Sequence, residues 1–286
     1  MSIFFSEYLN LTLDLKSANS RGDYSVLAYD NKYYFKLIAG RRDSLTFSTY
    51  SKEVASQLIE DFKHYYLEIQ HLNIKTPYSN GLYPIKISST NNGIRNRYVL
   101  VEKQERIMCT NCFDMLSSKT FPKNDYLKII DLTSSAINNI LKFVGKTIGF
   151  DPVLNNFLQN GYYVDFFPSF IIPGYAFNQM SEIKNQDEYS KMKAKMIFEP
   201  IPLLLNYIIN FSIFRLEIFD DIMSIVRRNL DKQTINLLLN FLTNDADANK
   251  LLSYINIRMI KRHPNITPVI KKPELLAGKI IQSLNI

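Results

Sequence analysis

The hydrophobic period of this chain changes near residue 104, and that change constrains the fold more than any other feature. Upstream, short runs with a strand-like period of two surround a single helical pattern; downstream, spacings of three and four dominate. Leu11 to Leu15 reads as a strand. Ser25–Tyr29 and Lys32–Leu37 read as a hairpin around the turn-prone pair Asp30-Asn31. In the second of these strands Tyr34 and Lys36 share one face, while Tyr33, Phe35 and Leu37 share the other. A lysine inside such a run is either an edge-strand solubility device or a charge with a task.

A helix is expected from about Ser51 to Leu72, where Val54, Leu58, Phe62, Tyr65, Ile69 and Leu72 make an apolar stripe. Strands follow at Tyr83 to Ile87 and Tyr98 to Val101, separated by the turn-rich Ser88 to Asn96. Beyond Lys103, Leu127, Ile130, Ile137, Ile140, Leu141, Val144 and Ile148 mark a long helix with Asn124 as N-cap. Further helices are expected near 201–229, 232–243, 246–262 and 273–284, the last with Pro273 in its first turn. The expected architecture is α+β: a small β-rich lobe over 1–103 and a larger helical lobe over 104–286.

The chemistry concentrates between the helices, in Gly149-Phe-Asp151-Pro-Val-Leu-Asn-Asn156-Phe-Leu-Gln-Asn160-Gly161-Tyr-Tyr-Val-Asp165-Phe-Phe167. Asn160-Gly161 predicts a type I′ turn that folds Asn156–Gln159 against Tyr162–Asp165. Asn156 and Asp165 then flank the open end of the hairpin, and Asp151 lies on the loop that enters it. Taken singly, each of the three is an ordinary turn residue; it is their joint spacing that suggests a site.

In these residues the chain resembles the protein-kinase-like fold, closest in character to aminoglycoside and other small-molecule phosphotransferases. The pattern of that family is an Asp, four residues, an Asn, a short hairpin and a second Asp, and Asp151, Asn156 and Asp165 follow it. Asp165-Phe166 matches the first two letters of the metal-binding D-F-G, and Lys36 matches the third-strand lysine. The resemblance covers the whole chain as an order of elements. It implies transfer of the γ-phosphate of ATP, or another nucleoside triphosphate, to a hydroxyl of a small molecule. In phosphoryl transfer, positioning and charge neutralisation do most of the work. Asp165 and Asn156 would hold Mg²⁺ as oxygen ligands. Asp151 would orient the acceptor hydroxyl and take its proton. Lys36 would hold the nucleotide phosphates, with Glu53 of the following helix as its partner. A hinge at Val99-Leu100-Val101-Glu102-Lys103 would meet the adenine base. Two positions depart from the pattern: Gly149 stands where the family has His, and Phe167 where it has Gly. The Gly-rich phosphate loop is replaced by Ser17–Asp23, with one glycine.

Other features are weaker. Cys109-Thr-Asn-Cys112 is a lone C-x-x-C without a second pair, and His64, His71 and His263 have no ligand spacing, so neither suggests a metal site. Two cysteines suit a reducing compartment. Met1–Glu7 carries no signal-peptide pattern, and the apolar run Ile201–Phe214, interrupted by Asn206 and Asn210, reads as a buried core helix, so the expected location is cytoplasmic with no membrane partner. The net charge of +7 is concentrated in 250–286, where seven basic residues face the single acid Glu274. That stretch is either a solvated helical face or a surface for an acidic acceptor or partner. The rival readings of the chain are a catalytically silent kinase-like nucleotide-binding or scaffold protein, and a nucleic-acid-binding protein using the basic C-terminus.

Overall fold

The structure is a computed structural model that describes residues 3–6, 11–14, 25–29, 32–38, 49–87, 97–116, 121–183, 187–262 and 273–285. It is an α+β protein whose chain divides into two compact units. One comprises Met1–Leu67, Thr76–Met108 and Phe166–Ser169; the other comprises Glu68–Lys75, Cys109–Asp165 and Phe170–Ile286.

The first unit holds strands β1 (Ile3–Ser6), β2 (Leu11–Asp14), β3 (Ser25–Tyr29) and β4 (Tyr33–Ile38), most of helix α1 (Lys52–His71), and strands β5 (Ser79–Ile87) and β6 (Arg97–Glu105). β1 and β2 form a two-stranded antiparallel ribbon, and the others form a four-stranded antiparallel sheet in the order β3-β4-β6-β5. Alternation sets the core face: Phe35 and Leu37 of β4 are buried, as are Val99 and Val101 of β6. Pro84 is tolerated because β5 lies at the end of that order, where a missing N–H costs no ladder bond. α1 follows its apolar stripe, with Leu58, Phe62, Tyr65 and Ile69 buried. Phe166 joins this core, edge-on to Tyr66 at 5.1 Å and to Phe62 at 6.2 Å.

β6 is longer than its apolar run foretold. It continues to Glu105 because Lys103, Gln104 and Glu105 pair with Phe35, Tyr34 and Tyr33 of β4. A lobe boundary at 103 therefore falls inside a strand. Val101 and Glu102 are paired with β4 on one side and β5 on the other, so the expected adenine-contacting hinge lies in the sheet interior. The turns expected at Asp30-Asn31 and Ser88–Asn96 lie outside the described residues.

The second unit is helical: α2 (Cys112–Leu116), α3 (Lys123–Leu141), α4 (Tyr175–Ile183), α5 (Glu188–Phe198), α6 (Pro200–Ser212), α7 (Phe219–Asn229), α8 (Lys232–Asn244), α9 (Ala248–Arg262) and α10 (Pro273–Leu284). α6 is apolar all round and central, with every residue from Pro202 to Ser212 buried. Each of its large apolar side chains removed from water contributes roughly 1.5–3 kcal/mol before entropy is counted. The stretch expected as one helix over 201–229 is two, because Arg215 leaves helical geometry (φ −138°, ψ 55°) and its guanidinium donates to the carbonyl of Phe121. α3 starts after Pro122, with Asn124 inside its first turn, and stops at Leu141. Val144 and Ile148 keep the helical spacing and are buried, but they pack from a turn around Gly145, whose φ is +79°. A side chain at Gly145 would also meet the Phe198 carbonyl oxygen at 2.8 Å.

Among the described residues no single helix is long and apolar enough to cross a membrane; α6 and the segment Leu216–Asn229 form a pair bent by 112°.

Candidate functional site

The segment 151–165 belongs wholly to the helical unit. Residues Leu154–Asn156 make one 3₁₀ turn, and a tight reversal follows. The reversal is bonded from Leu158 N–H to Tyr162 O (2.8 Å) and from Gly161 N–H to Leu158 O (2.8 Å), with Phe157 bridged to Tyr163. Gly161 takes a positive φ of 83°, whereas Asn73 alone does so among the described non-glycine residues. The turn is thus a type I turn closed by a left-handed glycine, not the expected type I′, which needs positive φ at both central residues. The register is thereby shifted by one residue, so that Asn156 is bonded to Val164, where the expected turn would set it opposite Asp165. Asn156, 6% exposed, donates its side-chain amide to the Asp151 carbonyl at 2.9 Å, and its own carbonyl accepts from Val164 N–H at 2.9 Å. Asp151 and Asn156 are therefore tied directly, and Asp165 follows the residue bonded to Asn156. Aromatic packing holds the segment in place: Phe150 lies 4.4 Å from the Tyr163 ring, and Phe157 contacts both Tyr163 and Phe211.

This donor set suits Mg²⁺. The Asn156 nitrogen is committed to the Asp151 carbonyl, so the amide oxygen is the end left for a cation, and Asp165 adds a half-buried carboxylate. Among the described residues no three or more His, Cys, Asp or Glu are clustered as a metal site. Mg²⁺ does not require one: it binds through one or two protein oxygens plus phosphates and water.

Two residues beside the 149–151 segment were missed in the sequence reading. The first is Phe198, whose ring occupies the space beside Gly149. A Cβ at Gly149 would lie 2.5 Å from that ring and 2.9 Å from Ile197, so the space that a larger side chain at position 149 would need is filled by an aromatic from α5. The second is Arg258 of α9, whose Nη2 lies 3.5 Å from Asp151 Oδ2. Arg258 is only 9% exposed, so it does not belong to a solvated basic face. The signal was present in the sequence: Leu251, Ile255 and Arg258 fall at i, i+4 and i+7, which puts a cation on the buried stripe. Lys250 of the same stretch pairs with Asp247 at 3.6 Å.

In the β-containing unit, Lys36 lies on β4, an interior strand, so the edge-strand explanation for it does not hold. It stands directly opposite Glu102 in the β4–β6 register, and its Nζ is 3.5 Å from Glu102 Oε2. Glu102 is fully buried and also accepts from Ser79 Oγ at 3.4 Å. The carboxylate expected from Glu53 is thus supplied across the sheet. Glu53 itself is exposed in the first turn of α1, and its carboxyl is held below the ordinary range first by its own backbone N–H and then by Ser51. A helix start with open N–H groups explains that position. The buried acid of α1 is Asp61, 3% exposed, which accepts from Gln57 at 2.6 Å. The stretch Ser17–Asp23 lies outside the described residues. Cys112 is buried, which pushes its thiol well above the ordinary range and makes it a poor nucleophile.

No protein-family model matches the chain, and neither a curated protein nor a solved structure is detectably similar to it.

Proposed function

We propose that the protein is a nucleoside-triphosphate- and Mg²⁺-dependent phosphotransferase with a protein-kinase-like two-lobed fold, acting on a hydroxyl of a small molecule. The observation that carries this reading is the tie from the Asn156 amide to Asp151, with Val164, the residue before Asp165, bonded back to Asn156. It brings a candidate base and two candidate metal ligands onto one short segment.

In this reading Asp151 orients the acceptor hydroxyl and receives its proton as the oxygen attacks the γ-phosphorus. Asn156 and Asp165 would hold Mg²⁺, which would supply positive charge to offset that of the transferred phosphate. Lys36 contributes a compact positive charge for the phosphates, and Glu102 holds that ammonium in place. The helical unit supplies acceptor specificity, as sites grafted onto a common fold do. The expected setting is cytoplasmic.

Calorimetric titration of Mg-ATP, joined to an assay of ADP release over a panel of hydroxyl compounds, tests the reading. Asp165→Ala abolishes Mg-dependent nucleotide binding. Asp151→Ala keeps binding and loses transfer by at least a hundredfold, in line with general-base contributions of about 10²–10⁴. Binding that survives Asp165→Ala unchanged would overturn the metal assignment. Binding without any transfer would favour a silent nucleotide-binding relative. Association with RNA or DNA that falls steeply with salt and ignores Asp165 would favour the nucleic-acid reading.

A further inference from the structure

Arg258 and Asp151 meet in an incomplete way. Both lie in the helical unit, and Arg258 is 9% exposed. Their single contact, Nη2 to Oδ2, measures 3.5 Å, the outer limit of a hydrogen bond. A guanidinium and a carboxylate buried together ordinarily join through two short parallel bonds. Here the second atom of each fork, Nη1 of Arg258 and Oδ1 of Asp151, is buried with no hydrogen-bond partner among the described residues. A buried donor and a buried acceptor left open on touching groups are rare, because each has given up water without replacement. Such a pair is completed by something that brings an acceptor to Nη1 and a donor to Oδ1. A hydroxyl supplies the donor. Asp151 already balances the guanidinium charge, but Nη1 remains a charged donor, and an oxyanion accepts from it more strongly than a neutral oxygen does and matches its planar geometry.

We propose that Arg258 selects the acceptor: the substrate is a small molecule whose reacting hydroxyl lies close to an oxyanion, a carboxylate or a phosphate, that docks on Arg258 Nη1. The inference rests on the phosphotransferase reading of Asp151. In the step it serves, the substrate hydroxyl oxygen forms a bond to the γ-phosphorus. The bond from that phosphorus to the β–γ bridging oxygen breaks, and its electron pair leaves on the nucleoside diphosphate. The hydroxyl proton passes to Asp151 Oδ1. Arg258 is a substrate-binding residue in this scheme and takes no proton.

The test uses the full chain and probes matched except for charge: glycerol against glycerate and glycerol 3-phosphate, and glucose against glucose 6-phosphate. Each is titrated calorimetrically with and without a non-hydrolysable ATP analogue and Mg²⁺, and each is assayed for ADP release with Mg-ATP. At least one oxyanion probe is expected to bind tenfold or more tightly than its neutral partner, and the probe that does so tells carboxylate from phosphate. Arg258→Gln removes that preference, and Arg258→Lys, which keeps the charge without the fork, restores part of it. Equal binding of charged and neutral probes by the unaltered chain overturns the inference, and that comparison holds even if Arg258→Gln fails to fold. A preference unchanged in a folded Arg258→Gln overturns it as well. Failure of the underlying reading looks different. An Arg258-dependent oxyanion preference without Mg-ATP binding or ADP release removes the reaction and keeps the anion site. ADP release onto neutral hydroxyls, indifferent to Arg258, keeps the reaction and removes the selection.

Discussion

Gly149 shows how one residue decides the surroundings of Asp151. The backbone there has no room for a side chain: a Cβ would sit 2.5 Å from the Phe198 ring and 2.9 Å from Ile197 Cγ2. Gly149 N–H is also bonded to Phe170 O at 2.6 Å, and Phe198 packs edge-on against Phe170 and Phe177, so neither the backbone nor the ring has an easy retreat. Gly149→Ala is therefore expected to destabilise the protein by about 1–3 kcal/mol, the usual cost of overpacking. Gly149→His, which would add a larger side chain at the same place, should cost more and lower the proposed transfer activity. Urea unfolding of the two variants checks this; a Gly149→His protein as stable as the parent would show that the ring moves aside freely. In the sequence, Gly149 is visible as a departure from a pattern, but its cause is not. Phe198 lies far along the chain on α5, and a one-dimensional pattern carries no information about which ring fills which gap. Lys36 was equally half-legible. Alternation placed it opposite to Phe35 and Leu37, yet its partner followed from strand register, and register put Glu102 rather than Glu53 within reach.

Among the elements, helix ends obey side-chain chemistry more closely than hydrophobic period does. α8 begins where Asp231 accepts from Thr234 N–H at 2.8 Å and from the Thr234 hydroxyl at 3.1 Å. Those bonds, the backbone one first, hold the Asp231 carboxyl below its ordinary range. Asp131 of α3 is lowered too, by Asn229 first and then Arg228, both at the end of α7. Asp231→Ala should cost about 1 kcal/mol, the typical value of an N-cap. The pH dependence follows from the direction of the shifts. A carboxyl whose folded value lies below its unfolded value stabilises the folded state fully above the unfolded value, near 4. That contribution is lost as pH falls through the lower folded value. Chemical unfolding at pH 7 and pH 3 should therefore show the Asp231→Ala penalty shrinking in acid; an equal penalty at both would assign the effect to packing. The early stop of α3 and the break before α7 were missed for the same reason. Apolar spacing of three to four also fits buried turns, as Val144 and Ile148 show, and it does not register a residue such as Arg215 that is drawn out of the helix by a carbonyl. α4 and α5 went unrecognised because the residues around them mix aromatic, amide and lysine side chains with little periodicity. Only Ala176 of α4 is buried.

Across the whole chain, the change of period near 104 foretold an α+β protein with its strands first, and that much is observed. The composition of the two units was not legible, because chain order does not say that Phe166–Ser169 returns to the β-containing unit while Glu68–Lys75 joins the helical one. The proposed roles are spread over both: Lys36 in the first, Asp151, Asn156 and Asp165 in the second. Binding energy that favours the folded state is shared by every segment whose opening would release the ligand, and at a hundredfold excess over Kd it amounts to about 2.7 kcal/mol. Mg-ATP should therefore slow amide hydrogen exchange in the 151–165 segment and also in β4 and β6 around Lys36 and Glu102. EDTA should reverse both effects, and Asp165→Ala should abolish both. Exchange is the suitable readout because it resolves local opening that a single melting temperature averages. Protection confined to the helical unit would remove Lys36 from the phosphate site and leave the Lys36–Glu102 pair as a purely structural contact within the sheet. Protection that persists in EDTA would remove the metal from the binding step.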